Sequence, residues 1–231
     1  MSKYVLYHGS DHVIDKPTYG IGNPNNDYGL GFYCTADIEL AKEWACGEGD
    51  KGYANSYEMD AGDLSILNLN GDEYHILNWL AILLENRRFS ISAQLAMDGK
   101  KYIEKTFMPK YKKSDIMIGY RADDSYFSFA RAFLNNTISL QKLQKAMYLG
   151  KLGNQIVIKS KKAFGRVIFQ DAEPVDIDKY RALREKRDRK ARDDYKNVVE
   201  TGNVVEDVFL IDIMREGWKN DDKRLQKAVS R

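Results

Sequence analysis

Cysteine is nearly absent. The 231-residue chain holds only Cys34 and Cys46, which form no pair at zinc-ligand spacing. A disulfide framework is therefore excluded, no metal is expected, and both thiols read as reduced, in a cytoplasmic protein. Proline is scarce as well, and two of the four prolines, Pro17 and Pro24, fall in one short stretch. No long apolar run exists. The longest, Trp79 to Leu84, is far too short to span a bilayer, so no membrane partner is expected. The Met1-Ser2-Lys3-Tyr4 start runs straight into a strand-like segment, and no signal peptide is expected. A charge of one sign is also missing: 36 basic and 34 acidic residues leave a net +2, which argues against a protein that coats nucleic acid along its whole length.

What is present suffices for a core. Hydrophobic residues make up 43% of the chain, so general disorder is excluded. Strands are expected at Tyr4–His8, Phe32–Thr35, Tyr53–Met59, Ser65–Leu69, Asp115–Tyr120, Asn154–Lys159 and Arg166–Gln170. Helices are expected from the Thr35 or Asp37 cap to Ala45, at Asp72–Arg87, at about 93–107, at Asp123–Leu134, from Ser139 to Leu149, at Asp178–Lys196 and at Val204–Trp218. Residues 15–31, rich in glycine, asparagine and proline, read as one long loop, and loops of that length are usually functional. Helices dispersed among strands, without a GxGxxG turn, give α+β. The composition changes after Pro174, which places a boundary near 176: a domain over 1–176 and a charged helical extension over 177–231.

Three segments share one character, a polar or aromatic residue beside glycine at a strand end. They are Leu6-Tyr7-His8-Gly9-Ser10, Asp27-Tyr28-Gly29-Leu30-Gly31-Phe32-Tyr33-Cys34-Thr35 and Gly153-Asn154-Gln155-Ile156-Val157-Ile158. The first two resemble the leading motifs of the His-Tyr-Glu branch of ADP-ribosyltransferases, which includes diphtheria-type toxins and the poly-ADP-ribose polymerases. With Ala41-Lys42-Glu43-Trp44-Ala45, Ile118-Gly119-Tyr120-Arg121-Ala122-Asp123-Asp124 and the third segment, the order is closer still to an uncharacterised bacterial family related to those enzymes. The resemblance covers about 1–175.

That resemblance implies an ADP-ribosyltransferase-like split β-sheet core with surrounding helices, and NAD as substrate. It puts the adenosine ribose on His8 and the nicotinamide amide on the Gly9 backbone, with Ser10 and Gly31 in the same binding set. It stacks Tyr33 on the nicotinamide ring. An imidazole and a phenol from two early strands would then grip the two halves of a dinucleotide. The chemistry agrees: imidazole both donates and accepts, and an aromatic face holds a flat cation with about 0.5–2 kcal/mol. Cys34, next to Tyr33, should face the other way into the core.

The third motif departs from the branch, because Gln155 stands where it has glutamate. A carboxylate near the 2′-hydroxyl would stabilise the oxocarbenium-like sugar as nicotinamide leaves. At ~4 Å and an effective dielectric of ~20, that charge contributes about 4 kcal/mol, or roughly three decades in rate. Glutamine can orient the hydroxyl but cannot balance the cation. Asp123 and Asp124 are the candidates for a replacement acid, or simply helix caps; Glu43, Glu48 and Glu58 are weaker ones.

Three functions stay open. One is an NAD-dependent mono-ADP-ribosyltransferase acting on a protein or nucleic acid, as a toxin or phage-defence effector with a cognate antitoxin. The second is a catalytically inactive NAD- or nucleotide-binding or scaffold module. The third is an interaction protein working through the C-terminal helices. The 178–196 run, with nine Lys/Arg against five Asp/Glu, reads first as a solvated helix with i,i+4 pairs such as Asp188–Arg192, and second as a basic arm.

Overall fold

Short β-branched and aromatic runs pair into two sheets in a computed structural model, and the stretches between them coil into helices. The structure describes residues 3–47, 49–88, 90–122, 124–147, 149, 153–200 and 207–228. In chain order the elements are β1 (Lys3–Ser10), β2 (Phe32–Cys34), α1 (Ile38–Trp44), β3 (Tyr53–Asp60), β4 (Ile66–Asn68), α2 (Ile76–Asn86), α3 (Gln94–Phe107), β5 (Ile116–Tyr120), α4 (Asp124–Leu134), α5 (Leu140–Met147), β6 (Asn154–Ile158), α6 (Lys161–Phe164), β7 (Val167–Pro174), α7 (Ile177–Glu200), α8 (Leu210–Arg215) and α9 (Lys223–Ala228). The fold is mixed α+β.

The chain divides into two compact units that interleave. The first takes Met1–Asn68, Tyr111–Arg121 and Leu152–Asp188; the second takes Leu69–Lys110, Ala122–Lys151 and Arg189–Arg231. The expected boundary near 176 does not coincide with this division, because strand pairing draws together segments far apart in sequence.

The first unit carries both sheets. One has the order β1-β3-β7 and is antiparallel throughout; the other has the order β2-β6-β5-β4. Only β4 and β5 run parallel, and a parallel pair needs a long crossover, here the segment that contains α2 and α3. Inward-facing residues of both sheets share one core. Leu6, Tyr57 and Met59 come from the first, and Cys34, Ile116, Ile156 and Ile158 from the second. Each such fully buried aliphatic side chain contributes about 1.5–3 kcal/mol. Asp37 caps α1, its carboxylate accepting from the Glu39 N–H at 2.9 Å. At the start of α7, Arg181 donates to the Gly47 and Gly49 carbonyls and Arg184 to that of Cys46, a cationic row that suits the negative end of α1.

The second unit is helical among the described residues. α2 is apolar on every side and buried from Ile76 to Leu84, as a central helix must be. Its start is fixed by Asn78, which accepts from the His75 N–H at 2.8 Å and donates to the Phe107 carbonyl at 2.8 Å. α3 buries Ala96, Gly99, Ile103 and Phe107, one helical face. Ser139 caps α5 by accepting from the Lys142 N–H at 3.2 Å. Of the amphipathic run expected over Val204–Trp218, residues 204–206 lie outside the described residues, and within 207–218 the helix spans Leu210–Arg215. Phe209 is extended and its N–H is taken by the Asp212 carboxylate, while Gly217 at φ +64 ends the segment.

Candidate active site

The two sheets meet where β1 passes β2. Tyr7 and Thr35 form an antiparallel bridge, with N–H···O distances of 2.8 and 2.9 Å. The motif residues sit on either side of it.

His8 follows the bridge. Its Nδ1 lies 2.7 Å from the Tyr33 carbonyl oxygen, and since a carbonyl only accepts, Nδ1 carries the hydrogen. The neutral ring then keeps a bare lone pair on Nε2. Burial pushes the His8 pKa below the usual histidine range; the Tyr33 carbonyl opposes this and the nearby His12 adds to it, so the ring is neutral at pH 7. The imidazole rests on Phe32, ring centres 4.6 Å apart.

Gly9 has no room for a side chain. A Cβ there would lie 1.9 Å from the Ala41 carbonyl oxygen and 2.6 Å from the Ala45 nitrogen, both backbone atoms of the α1 region. Glycine is what lets this helix lie against β1. Ser10 donates to the His12 carbonyl at 2.7 Å and accepts from Asn55 at 2.9 Å. Asn55, fully buried on β3 opposite His8, went unnoticed in the sequence because it stands alone within an ordinary strand pattern.

Tyr33 is a fastening point. Its hydroxyl donates to the Gly29 carbonyl at 2.6 Å and accepts from the Tyr28 N–H at 3.1 Å. Tyr28 is buried, with its own hydroxyl 2.7 Å from the Tyr120 carbonyl, and the Lys159 ammonium donates to its carbonyl. Burial pushes Lys159 down to about 8. Gly31 packs on β6, where a Cβ would come 2.7 Å from Val157 Cγ1 and 2.9 Å from the Ile158 carbonyl oxygen. The end of the long loop is thereby pinned to the second sheet.

Strand alternation sets the directions. Phe32 and Cys34 pair with Ile158 and Ile156 and turn to the shared core, with Cys34 wholly buried. Tyr33 pairs with Val157 and turns the other way. The imidazole, packed on Phe32, and the Tyr33 phenol thus lie on opposite faces of β2, joined through the Tyr33 backbone; they do not face each other.

Gln155 shares the Tyr33 face, two residues from Val157 and opposite Gly119. It is 7% exposed, yet its Oε1 has no hydrogen-bond partner. Trp44, the last residue of α1, has its Cβ against Gly9, and the Arg121 guanidinium sits 4.6 Å from its ring centre. Its indole N–H is buried without an acceptor. Arg121 is thus part of a stack on an aromatic face.

Among the weaker acids, Glu43 precedes Trp44 and pairs with Arg187. Burial raises its pKa against the pull of Arg187, Arg121 and Arg184. Glu58 is exposed on β3. Glu48 and Asp123 lie outside the described residues, and Asp124 opens α4 in the second unit. Among the described residues no helix is long and apolar enough to cross a membrane, and no group of three or more His, Cys, Asp or Glu is placed to hold a metal ion.

Residues 4–169 match the family described as "Protein of unknown function (DUF3990)". The match spans well over half of the chain, which therefore belongs to that family. No curated protein and no solved structure matches the chain.

Proposed function

We propose that this DUF3990 chain is an NAD-dependent mono-ADP-ribosyltransferase whose two-sheet unit is the ADP-ribosyltransferase-like core. The observation that carries the reading is the partnerless, buried Oε1 of Gln155. An unmatched buried acceptor costs about 1–3 kcal/mol, and a ribose hydroxyl supplies the missing donor. The Tyr33 phenol leaves the same face, Gly119 pairs with Gln155, and Arg121, two residues beyond Gly119, already lies as a flat cation on the Trp44 indole. A nicotinamide pyridinium is another flat cation. In this reading the nicotinamide riboside lies toward Tyr33 and Gln155 and the adenosine ribose toward His8.

In the transfer, the bond from ribose C1′ to the pyridinium nitrogen breaks and nicotinamide leaves neutral with the electron pair. The acceptor's lone pair forms the new bond to C1′, and its proton passes to solvent. The acceptor is a protein or nucleic acid, and the setting that of a cytoplasmic bacterial toxin or phage-defence effector held by an antitoxin. A second reading, binding without transfer, draws on Gln155 itself, which supplies no negative charge.

One experiment separates the two. The full chain is incubated with nicotinamide-labelled NAD and separated protein, RNA and DNA fractions. Wild type is expected to release nicotinamide and His8→Ala to lose release. Gln155→Glu is expected to accelerate it by up to about a thousandfold, the value of one well-placed charge. NAD-dependent thermal stabilisation without release, in wild type and Gln155→Glu alike, selects the binding module. No stabilisation and no release removes both.

A further inference from the structure

Trp44 combines an orphaned donor with an occupied face. Its indole N–H is buried and meets no acceptor, a state that few buried N–H groups keep unless something outside the chain completes it. The neighbouring carboxylate, Glu43, is turned to Arg187 instead. The ring face carries the Arg121 guanidinium, 4.6 Å from its centre, as an aromatic face holds any flat cation. The helix beneath is fixed. A Cβ at Gly9 would stand 2.9 Å from that of Trp44, and one at Gly153 would stand 2.6 Å from Leu40 Cδ1. Leu40 and Trp44 are four residues apart, on one face of α1. That face therefore touches the first motif and the glycine that precedes β6, the strand of Gln155. Tyr33 offers an aromatic face as well, but its hydroxyl hydrogen is committed to the Gly29 carbonyl.

A face that takes a flat cation and an edge that lacks an acceptor together describe one ligand group: a planar cation bearing a carbonyl oxygen. We propose that Trp44 is a specificity-determining residue for the nicotinamide half of the ligand. Its face stacks on the pyridinium and its indole N–H donates to the carboxamide oxygen. Arg121 is the placeholder, which leaves the indole for the ligand's phosphates. This rests on the dinucleotide reading of the site. The exchange balances in charge: one flat cation replaces another on the ring, and the displaced guanidinium gains an oxyanion that it can grip with two hydrogen bonds.

The test is calorimetric titration of the full chain with NAD and with ADP-ribose, which keeps the phosphates and riboses and lacks nicotinamide. Wild type, Trp44→Phe and Arg121→Met are compared, with ¹⁵N NMR of the indole N–H groups of the three tryptophans. Wild type is expected to bind NAD about tenfold tighter than ADP-ribose. The indole resonance missing from Trp44→Phe should move with NAD and stay in place with ADP-ribose. Trp44→Phe keeps an aromatic face and loses the donor, so it should weaken NAD about tenfold and leave ADP-ribose within about twofold. Arg121→Met should act in the opposite sense. It removes a phosphate partner common to both ligands but also clears the indole, so ADP-ribose should weaken about tenfold and NAD less. Equal losses of NAD and ADP-ribose in Trp44→Phe mean a structural role and overturn the proposal. So does a larger loss of NAD than of ADP-ribose in Arg121→Met. If wild type binds NAD while the Trp44 resonance stays in place, the assignment to Trp44 falls and the dinucleotide reading stands. If wild type binds neither ligand, both fall.

Discussion

The two units treat buried polarity differently. In the helical unit, Asn78 and Ser139 are buried and hold helix starts, Asn78 also donating to the Phe107 carbonyl, and both ring nitrogens of His75 are buried as well. In the two-sheet unit, buried polar side chains gather around the β1–β2 junction: Thr35 beside the bridge, Asn55 under the turn that follows, and Gln155 with an oxygen left over. A buried polar group whose partners are all local explains itself through architecture. One whose partner is missing, as at Gln155, has room for the ligand hydroxyl of the proposed function.

The largest effect that sharpens this contrast comes from two glycines. Gly9→Ala drives a methyl into backbone atoms of the α1 region, which cannot yield cheaply; a loss of at least about 3 kcal/mol by urea unfolding is expected. Gly99→Ala meets Leu210 Cδ2 at 2.4 Å, the far end of a flexible side chain, and should cost no more than about 1 kcal/mol. Equal losses would break the distinction between a glycine needed for close backbone approach and one that is merely convenient.

The next effect is acid sensitivity of the helical unit. Burial among groups such as Phe107, whose ring meets it edge-on at 5.5 Å, pushes His75 down to about 4, with Asn220 opposing. The folded form thus resists protonation that the unfolded chain accepts at about 6.5. Stability from His75 is complete above about pH 6.5 and is lost as pH falls toward 4, by up to about 3 kcal/mol. Unfolding monitored through tryptophan fluorescence from pH 7 to 4 should show this slope, and His75→Phe should flatten it. A slope unchanged in His75→Phe would assign the acid sensitivity to other groups. The smallest effect is Tyr33→Phe. It removes the hydroxyl that holds Gly29 and Tyr28, and should cost about 1–2 kcal/mol while leaving the ring in place. NAD affinity lost in that variant beyond the stability loss would tie the loop to ligand binding.

Most of the elements were legible because their signals are local. Cys34 facing away from Tyr33 follows from alternation, and the Asp37 and Ser139 caps follow from residue type. The interleaving of the two units was not legible, since no local pattern says that β4 pairs with a strand beginning 50 residues later. The second gap is direction. The His8 imidazole lies 2.7 Å from the Tyr33 backbone carbonyl, but whether the two rings face each other depends on which strand face each takes. Asn55 and Trp44 were missed for the same reason: each is ordinary within its own element, and only the approach of a second element gives it a role.

The strand order of the second sheet has a consequence for synthesis. β2 is bracketed by the bridge to Tyr7 and by β6, and β6 begins 120 residues downstream of Cys34. Ribosomes add roughly 5–20 residues per second, so roughly 6–24 s separate the emergence of the loop that bears Tyr33 from that of its sheet partner. Until then Gln155 does not exist in the nascent chain, and the junction waits half-built: completion of the second sheet is timed by translation.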